Sequence, residues 1–250
     1  MLIEVKNLSL SYEKEILNNL SFKIDSDFVS IIGANGSGKT TLLKILSQNI
    51  TNYSGQVFIN DKNLRAYSKK ELSQFRAYVS AEENITNDFN IVQYISLGRS
   101  PFQKLFGNLS KKDYEIINKT LDLLEIKELA EKNLSNISSG EKQRVQIARA
   151  LVQESKLILL DEPISHLDIN YQISTLKLLK KLSLEGIMII IIIHDINLAA
   201  IFSEQIIILK NGSLLSCNNV ENSLNKENLK KSFDIDWDIE YNPIRVFPKI

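Results

Sequence analysis

Residues 33–41 contain a pattern that binds phosphate groups in proteins. The segment Gly-Ala-Asn-Gly-Ser-Gly-Lys-Thr matches G-x-x-x-x-G-K-[ST] at every fixed position. Glycines let successive backbone N–H groups turn inward around phosphate oxygens. We predict that Lys39 neutralises the β- and γ-phosphates of a nucleotide, that the Thr40 hydroxyl binds Mg²⁺, and that Thr41 donates toward the α-phosphate. The predicted phosphate loop comprises Gly33, Ala34, Asn35, Gly36, Ser37, Gly38, Lys39, Thr40 and Thr41.

Two adjacent carboxylates, Asp161 and Glu162, follow an apolar run at residues 157–160. Acids at the end of a buried strand are costly to desolvate unless a cation or a proton transfer uses them. Asp161 therefore fits a Mg²⁺ ligand, directly or through water, and Glu162 fits a general base that polarises the attacking water. Taken alone, an ordinary strand exit with solvated acids explains the pair equally well. The phosphate loop in the same chain favours the catalytic interpretation.

The chain has two histidines, and both follow chemically suggestive segments. His194 closes the apolar run 187–193, and ligand sites of α/β proteins lie at such strand ends. It could hydrogen-bond a γ-phosphate, although a lone histidine is more often structural. His166 lies in the Ser-His-Leu-Asp segment at residues 165–168, just after the acidic pair.

Small residues also precede a second helical pattern, which starts near residue 141. Ser138, Ser139, Gly140 and Glu141 would form either a helix N-cap or a second anion site at a helix N-terminus. Taken singly, the N-cap is the simpler interpretation. However, one nucleotide needs only one phosphate loop. A second site suited to phosphate therefore suggests a nucleotide that is shared between two chains.

Strands and helices must hold these residues in place. Residues 2–5, 8–10 and 20–24 alternate loosely, which predicts strands of an antiparallel layer with one solvated face. The apolar run 28–32 leads into the phosphate loop, and a helix-like run at 42–46 follows it. These flanks disfavour the alternative of a glycine-rich turn with an incidental lysine.

Strand-like and helical segments alternate through the rest of the chain. This alternation predicts an α/β fold with a parallel sheet, into which a helical stretch at about 85–150 is inserted. Asn211-Gly212 predicts a hairpin turn. The patterns predict helices over 110–132, 141–151, 169–179 and from about 197, and strands over 157–160, 187–193, 205–209 and 214–216.

Composition limits the class of protein. The chain has 250 residues, with 30 Lys and Arg against 30 Asp and Glu. A net charge of zero argues against a nucleic-acid partner, since such binders carry a basic excess. A single cysteine, Cys217, permits no internal disulfide. The charged N-terminus resembles no secretory leader, and the apolar run 187–193 is shorter than the roughly 18 residues of a membrane span. We expect a cytosolic or peripheral chain.

The order of the motifs resembles that of ABC-type ATPases. Residues 33–41, 137–141, 160–163 and 165–168, followed by His194, are similar to the Walker A, signature, Walker B, D-loop and H-loop motifs. The resemblance covers essentially the whole chain, residues 1–250. It implies a P-loop NTPase (RecA-like) core with an N-terminal antiparallel β layer and a helical subdomain at about 85–150. It also implies that Tyr12 stacks on adenine.

The resemblance further implies an enzyme that hydrolyses ATP with Mg²⁺ and dimerises with a second copy of itself. Each ATP would lie between the Walker A motif of one chain and Ser138, Ser139, Gly140 and Glu141 of the other. The implied partners are two transmembrane permease subunits, at the cytoplasmic side of the cell membrane, and indirectly a periplasmic or surface substrate-binding protein.

Two shorter segments point to a subgroup. Residues 97–101 and 194–200 are similar to ATPase subunits of importers for iron–siderophore complexes, haem and vitamin B12. A soluble ABC ATPase of the Fe–S assembly type and a weakly hydrolysing regulatory subunit are the alternatives.

Two positions depart from the family pattern. Ser139 replaces a glycine of the signature motif, and Ala81 stands where the family has the Q-loop glutamine that senses Mg²⁺ and contacts the membrane subunits. Either Glu82 or Glu83 supplies an oxygen in its place, or both are solvated loop residues. The missing glutamine predicts altered coupling between ATP hydrolysis and the membrane subunits, or a changed hydrolysis rate.

Overall fold

The computed structural model describes residues 1–81, 89–103, 108–165, 167–241 and 243–249. The strands of this part of the chain are β1 (Ile3–Ser11), β2 (Glu15–Ile24), β3 (Phe28–Ile32), β4 (Ser54–Ile59), β5 (Lys62–Asn63), β6 (Arg76–Val79), β7 (Leu157–Leu160), β8 (Met188–Ile192), β9 (Gln205–Lys210), β10 (Ser213–Asn219), β11 (Trp237–Glu240) and β12 (Arg245–Pro248). Its α-helices are α1 (Lys39–Leu46), α2 (Lys69–Phe75), α3 (Ile91–Ser96), α4 (Lys111–Leu123), α5 (Ser139–Leu151), α6 (Ile169–Leu184), α7 (Ile196–Phe202), α8 (Val220–Ser223) and α9 (Lys226–Phe233).

The main sheet has the strand order β10-β9-β3-β8-β7-β6 among the described residues. All neighbouring pairs from β9 to β6 are parallel, and β10 pairs antiparallel to β9. Every residue of β3, β7 and β8 is buried, which is why these strands are nearly continuous apolar runs. Parallel strands end at one edge of the sheet, so the residues that follow β3, β7 and β8 meet there.

The antiparallel layer has the order β2-β1-β4-β5. The predicted runs at 2–5 and 8–10 form one strand, β1, because a bulge between Val5 and Leu8 re-registers its pairing with β2. Asn7 lies inside this bulge in the left-handed region, with φ +48°. The inward side chains of this layer pack with those of α1 and one face of the main sheet in a single core. The layer thus supports the helix that begins with Lys39.

Helices α3, α4 and α5 lie between β6 and β7 in the chain, in the region predicted as a helical insertion. The prediction of one helix over 110–132 is wrong beyond Leu123. Glu125 adopts φ +54°, and the N–H of Ile126 donates to the carbonyl of Leu121 (3.0 Å). This left-handed cap ends the helix and turns the fully buried Ile126 into the core.

The α/β fold predicted from the sequence pattern is confirmed. The hairpin prediction is confirmed too, since Asn211 and Gly212 join β9 to β10 with φ +47° and +76°. A C-terminal strand pair, β11–β12, lacked a sequence signal; it is fixed to α7 by hydrogen bonds between the Asn197 amide and the backbone of Val246. Within the described ranges, no helix is both long and apolar enough to cross a membrane.

Candidate active site

The phosphate loop wraps around the ammonium group of Lys39. Its Nζ atom donates hydrogen bonds to the carbonyl oxygens of Gly33 (2.9 Å) and Ala34 (3.0 Å). Lys39 is buried, and this burial lowers its pKa, although the charges of Glu162 and Asp161 oppose the shift. The Oγ atom of Ser37 is also buried, with no hydrogen-bond partner in the described part of the chain. A cation and an unpaired hydroxyl thus lie in one turn of backbone, which suits a phosphate.

Glycines are required where the loop approaches its neighbours. Gly33 has φ +146°, and a Cβ atom there would lie 2.2 Å from the carbonyl oxygen of Leu209. Gly38 has φ +100° and precedes α1 without a side-chain cap, which leaves the helix N–H groups for an anion. From the β9–β10 turn, the N–H of Gly212 donates to the Ser37 carbonyl (3.1 Å). The hairpin turn therefore supports the phosphate loop.

Asp161 forms the second part of the site, at the end of β7. Its Oδ1 atom accepts a hydrogen bond from the Thr40 hydroxyl (3.0 Å), and its Oδ2 atom accepts a longer one from the Tyr78 hydroxyl (3.4 Å). Burial raises the pKa of Asp161, and the bond from Thr40 opposes the increase. Burial and the Asp161 charge raise the pKa of Tyr78 to about 12. Hydroxyl and carboxylate oxygens in contact are the donor set that Mg²⁺ prefers.

Glu162 and His194 form a hydrogen-bonded pair at the same edge of the sheet. The Nε2–H of His194 donates to Oε1 of Glu162 (2.7 Å), and both side chains are partly exposed. Glu162 adopts φ +51°, an uncommon conformation for a residue with a side chain. After His194, the Asp195 carboxylate caps α7 by accepting the N–H groups of Asn197 (2.8 Å) and Leu198 (3.0 Å). A strand end and a capped helix thus hold the imidazole.

These groups share one open cleft with a volume of about 450 Å³. It is lined by Ile16, Asn35, Gly36, Ser37, Gly38, Lys39, Thr40, Thr41, Glu162 and His194. The structure therefore brings most of the phosphate loop together with the predicted base and the predicted histidine. Asp161 joins them through Thr40. Ile16 and Tyr78 were missed by the sequence reasoning, because no motif contains them and only packing places them beside the loop. Gly212 was predicted as part of a hairpin turn, but its contact with the phosphate loop was not.

Tyr12 and the serine-rich segment are not part of this cleft. Tyr12 lies in the turn between β1 and β2, and its side chain is exposed. Ser138 caps α5 in a reciprocal pattern: its hydroxyl accepts the Glu141 N–H (3.3 Å), and Glu141 accepts the Ser138 N–H (2.7 Å). Within one chain the segment is thus an N-cap. Its predicted contact with a nucleotide of a second copy stays a prediction.

The two departures from the family pattern have different structural settings. Ser139 is the first residue of α5 and is exposed, so its extra side chain requires no unusual backbone conformation. A Cβ atom at Gly140 would lie 3.3 Å from the side chain of Leu167. Ala81 follows β6 and is exposed. The predicted roles of Glu82 and Glu83, and the position of His166, lie outside the described residues.

A second cavity, which we call the groove, separates α2 and β6 from the helical region. Its volume is about 420 Å³. Three cations line it, Lys69, Arg76 and Arg149, and no carboxylate occurs among its described lining residues. Burial lowers the pKa of Arg76 to about 10. Over the described residues, Arg76 makes no ion pair and its Nε atom has no hydrogen-bond partner. The groove therefore suits an anionic group.

The wall of the groove formed by residues 97–102 is fixed by a buried arginine. Arg99 donates from Nε to Oδ1 of Asp113 (2.7 Å), and from Nη1 to the carbonyl of Val152 (2.7 Å) and to Oε2 of Glu154 (2.9 Å). Beside it, a Cβ atom at Gly98 would lie 2.2 Å from the Arg149 carbonyl oxygen. These contacts join the start of α4 and the end of α5 to the same wall.

The chain is similar in sequence to proteins of one family. A family model described as ABC transporter matches residues 17–165, more than half of the chain. The chain is 34% identical to the petrobactin import ATP-binding protein of Bacillus subtilis, and the match covers 94% of this chain and 93% of that protein. It is also 34% identical to the iron(3+)-hydroxamate import ATP-binding protein of the same bacterium, covering 96% and 91%.

Solved structures agree with these sequence matches. An inward-facing metal-chelate type ABC transporter aligns with a TM-score of 0.84 and 26% identity, covering 99% of this chain and 97% of that one. A dimeric ATP-binding cassette in a post-hydrolysis state, bound to ADP and phosphate, aligns with a TM-score of 0.77 and 29% identity, covering 87% and 98%. The shared architecture is the α/β fold with an antiparallel layer described above.

Proposed function

Because this chain belongs to the ABC transporter family and is an ABC-type ATPase, we propose that it powers an importer. Its substrate class is an iron–siderophore complex, haem or a cobalamin-type molecule. The observation that carries the proposal is the cleft in which Lys39 and Thr40 face the Glu162–His194 pair. The names of the two relatives, import ATP-binding proteins for petrobactin and for iron(3+)-hydroxamate, support this class over a soluble Fe–S assembly factor.

In the proposed site, each residue has a role that its contacts support. Lys39 and the N-terminus of α1 bind the β- and γ-phosphates, and Thr41 binds near the α-phosphate. Thr40 and Asp161 hold Mg²⁺, an ion that neutralises charge developing on the phosphates when it is bound. Glu162 accepts a proton from the attacking water, and His194 orients Glu162 through its hydrogen bond.

The proposed active form is a dimer of two copies. Ser138, Ser139 and Gly140 are outside the cleft of their own chain, yet they begin a helix at an exposed position. A helix N-terminus of this kind attracts phosphate oxygens. Contact of this segment with the nucleotide of the second copy would complete each site, as would stacking of the exposed Tyr12 on adenine.

The proposed membrane partners are two permease subunits whose transport cycle is driven by ATP hydrolysis. The groove is the surface we assign to them, because Arg76 lines it with a buried Nε atom that has no hydrogen-bond partner among the described residues, and Lys69 adds a second positive charge to the same lining. An acidic cytoplasmic segment of a permease subunit would pair with Arg76 and Lys69. This assignment places the chain at the cytoplasmic face of the cell membrane, with a substrate-binding protein acting only through the permease.

The test combines ATP turnover with transport. The purified chain should hydrolyse Mg-ATP, and Lys39→Ala should abolish both nucleotide affinity and turnover, whereas the exposed Lys177→Ala should match the parent. In proteoliposomes with its membrane subunits, the chain should drive uptake of a radiolabelled ferric siderophore, haem or cobalamin. The proposal would be contradicted if Lys39→Ala bound ATP almost normally. It would also be contradicted if the transporter took up none of these compounds in an ATP-dependent manner.

A further inference from the structure

Tyr78 belongs to two sites at once. Its side chain lines the groove. Its hydroxyl donates a hydrogen bond to Oδ2 of Asp161, the carboxylate that lies against Thr40 in the nucleotide cleft. Tyr78 is the residue, among the described ones that line the groove, that makes this contact with the nucleotide cleft. One side chain thus physically connects the two cavities.

The hydroxyl of Tyr78 helps to fix the orientation of the Asp161 carboxylate. Thr40 donates to Oδ1 (3.0 Å) and Tyr78 donates to Oδ2 (3.4 Å), so each oxygen has its own donor. Asp161 is only 2% exposed, so water has little access to replace a lost donor. Without the Tyr78 hydroxyl, the Thr40 hydroxyl would be the remaining side-chain donor to this carboxylate among the described residues.

The backbone around Tyr78 is joined to that of Asp161. Strands β6 and β7 pair in parallel, with Val79 opposite Leu160, and the N–H of Asp161 donates to the Val79 carbonyl (2.9 Å). Side chains two residues apart on a strand share a face, and accordingly Arg76 and Tyr78 both line the groove. A group that binds Arg76 would therefore contact the same strand face that holds Tyr78.

We propose that Tyr78 is a positioning residue that transmits occupation of the groove to Asp161. This inference rests on the proposed function, since the groove occupant is taken to be an acidic segment of a permease subunit. That segment would pair with Arg76 and displace the neighbouring Tyr78 ring, which changes the hydrogen bond from its hydroxyl to Asp161. The connection uses a phenol on β6, whereas Ala81, which stands where the family has a glutamine, offers a methyl group.

The first experiment measures Mg²⁺ binding without hydrolysis. Tyr78→Phe removes the hydroxyl and keeps the ring in the groove. Tyr67→Phe is the matched control, because its hydroxyl donates to the Ile59 carbonyl (3.0 Å), in the antiparallel layer. With a fluorescent, non-hydrolysable ATP analogue, the Mg²⁺ concentration that half-saturates binding should rise about three- to tenfold in Tyr78→Phe. Affinity for the analogue without Mg²⁺, and the Tyr67→Phe titration, should match the parent.

The second experiment measures communication with the membrane subunits. ATPase rates are compared for the chain alone and for the complete transporter in proteoliposomes. Tyr78→Phe should lower kcat and reduce the stimulation by the membrane subunits at least threefold, while the KM for ATP at saturating Mg²⁺ stays near the parental value. Tyr67→Phe should be stimulated like the parent.

The outcomes separate this inference from the proposed function. If Tyr78→Phe matches Tyr67→Phe in both the Mg²⁺ titration and the stimulation, Tyr78 only packs in the groove and the inference is overturned. A shifted Mg²⁺ titration with normal stimulation overturns the transmission role. If the parent chain binds the analogue but does not hydrolyse ATP, the proposed function fails, and the Mg²⁺ titration still decides whether Tyr78 positions Asp161.

Discussion

The Nε2 atom of His194 lies 2.7 Å from Oε1 of Glu162. Each residue follows the end of a strand, Glu162 after β7 and His194 after β8, and these two strands are parallel neighbours. The left-handed backbone of Glu162 changes the chain direction at this point. The pair is therefore a product of sheet topology: two neighbouring strand ends place a proton acceptor and a hydrogen-bond donor at the rim of the phosphate cleft.

This pair predicts a separation of binding from turnover in Glu162→Gln. An amide cannot take the proton of the attacking water, so kcat should fall about 10²- to 10⁴-fold. ATP affinity should stay within a few-fold of the parent, because the contacts of Lys39 and Thr40 are untouched. Size-exclusion chromatography with Mg-ATP should then show a stable dimer. The exposed Glu131→Gln serves as control; parental turnover in Glu162→Gln would show that Glu162 is not the base.

Two glycines of the phosphate loop should respond differently to alanine. Gly33→Ala places a Cβ atom 2.2 Å from the Leu209 carbonyl oxygen, which forces the loop away from β9. Gly36 also has positive φ, +77°, but nothing lies within 4 Å of a Cβ atom there. Urea unfolding should show a loss above about 2 kcal/mol for Gly33→Ala and about 1 kcal/mol for Gly36→Ala. Equal losses would mean that the close approach to Leu209 does not constrain the loop.

Arg99→Met should destabilise the wall of the groove. Arg99 is 4% exposed, and its removal takes the cation away from the buried Asp113 and the Nη1 hydrogen bond away from the Val152 carbonyl. The free energy of unfolding should fall by about 3–5 kcal/mol. Lys127→Met breaks an exposed ion pair with Asp122 and should cost less than about 1 kcal/mol. If Arg99→Met does not fold, Arg99→Lys should give an intermediate loss; a loss equal to that of Lys127→Met refutes the prediction.

Protonation of Asp113 should account for part of the stability that the protein loses at low pH. Hydrogen bonds from Ser110, and the neighbouring Arg99, lower its pKa from 3.8 to about 2. Because the folded pKa is the lower one, the ionised form favours folding; its contribution is complete above the unfolded value and is lost as pH falls toward about 2.

Asp113→Asn removes this contribution. Compared with the parent, it should be less stable at pH 7 and lose less stability between about pH 4 and 2. Urea unfolding midpoints measured across that range provide the test. The exposed Asp122→Asn should keep the parental slope; an unchanged slope in Asp113→Asn would contradict the assignment.

The sequence by itself determined the chemistry that depends on contiguous residues. Phosphate binding needs glycines and a lysine at fixed spacing along one turn, so residues 33–41 were identifiable without a fold. The acidic pair Asp161–Glu162 was visible for the same reason, as it directly follows an apolar strand. Alternation of buried strands and helices also gave the fold class, since hydrophobic periodicity is a local property.

Only the tertiary structure decided which distant residues meet. The 2.7 Å contact between Glu162 and His194, and the bond from Tyr78 to Asp161, depend on which strands are neighbours in the sheet. The end of α4 also depended on packing. The apolar pattern of the helix continues past Glu125, but burial of Ile126 offsets the cost of the left-handed backbone at Glu125. Spacing along the chain determines on which face of its own helix or strand a side chain lies. Strand order, burial and hydrogen-bond partners are decided only when these elements pack together.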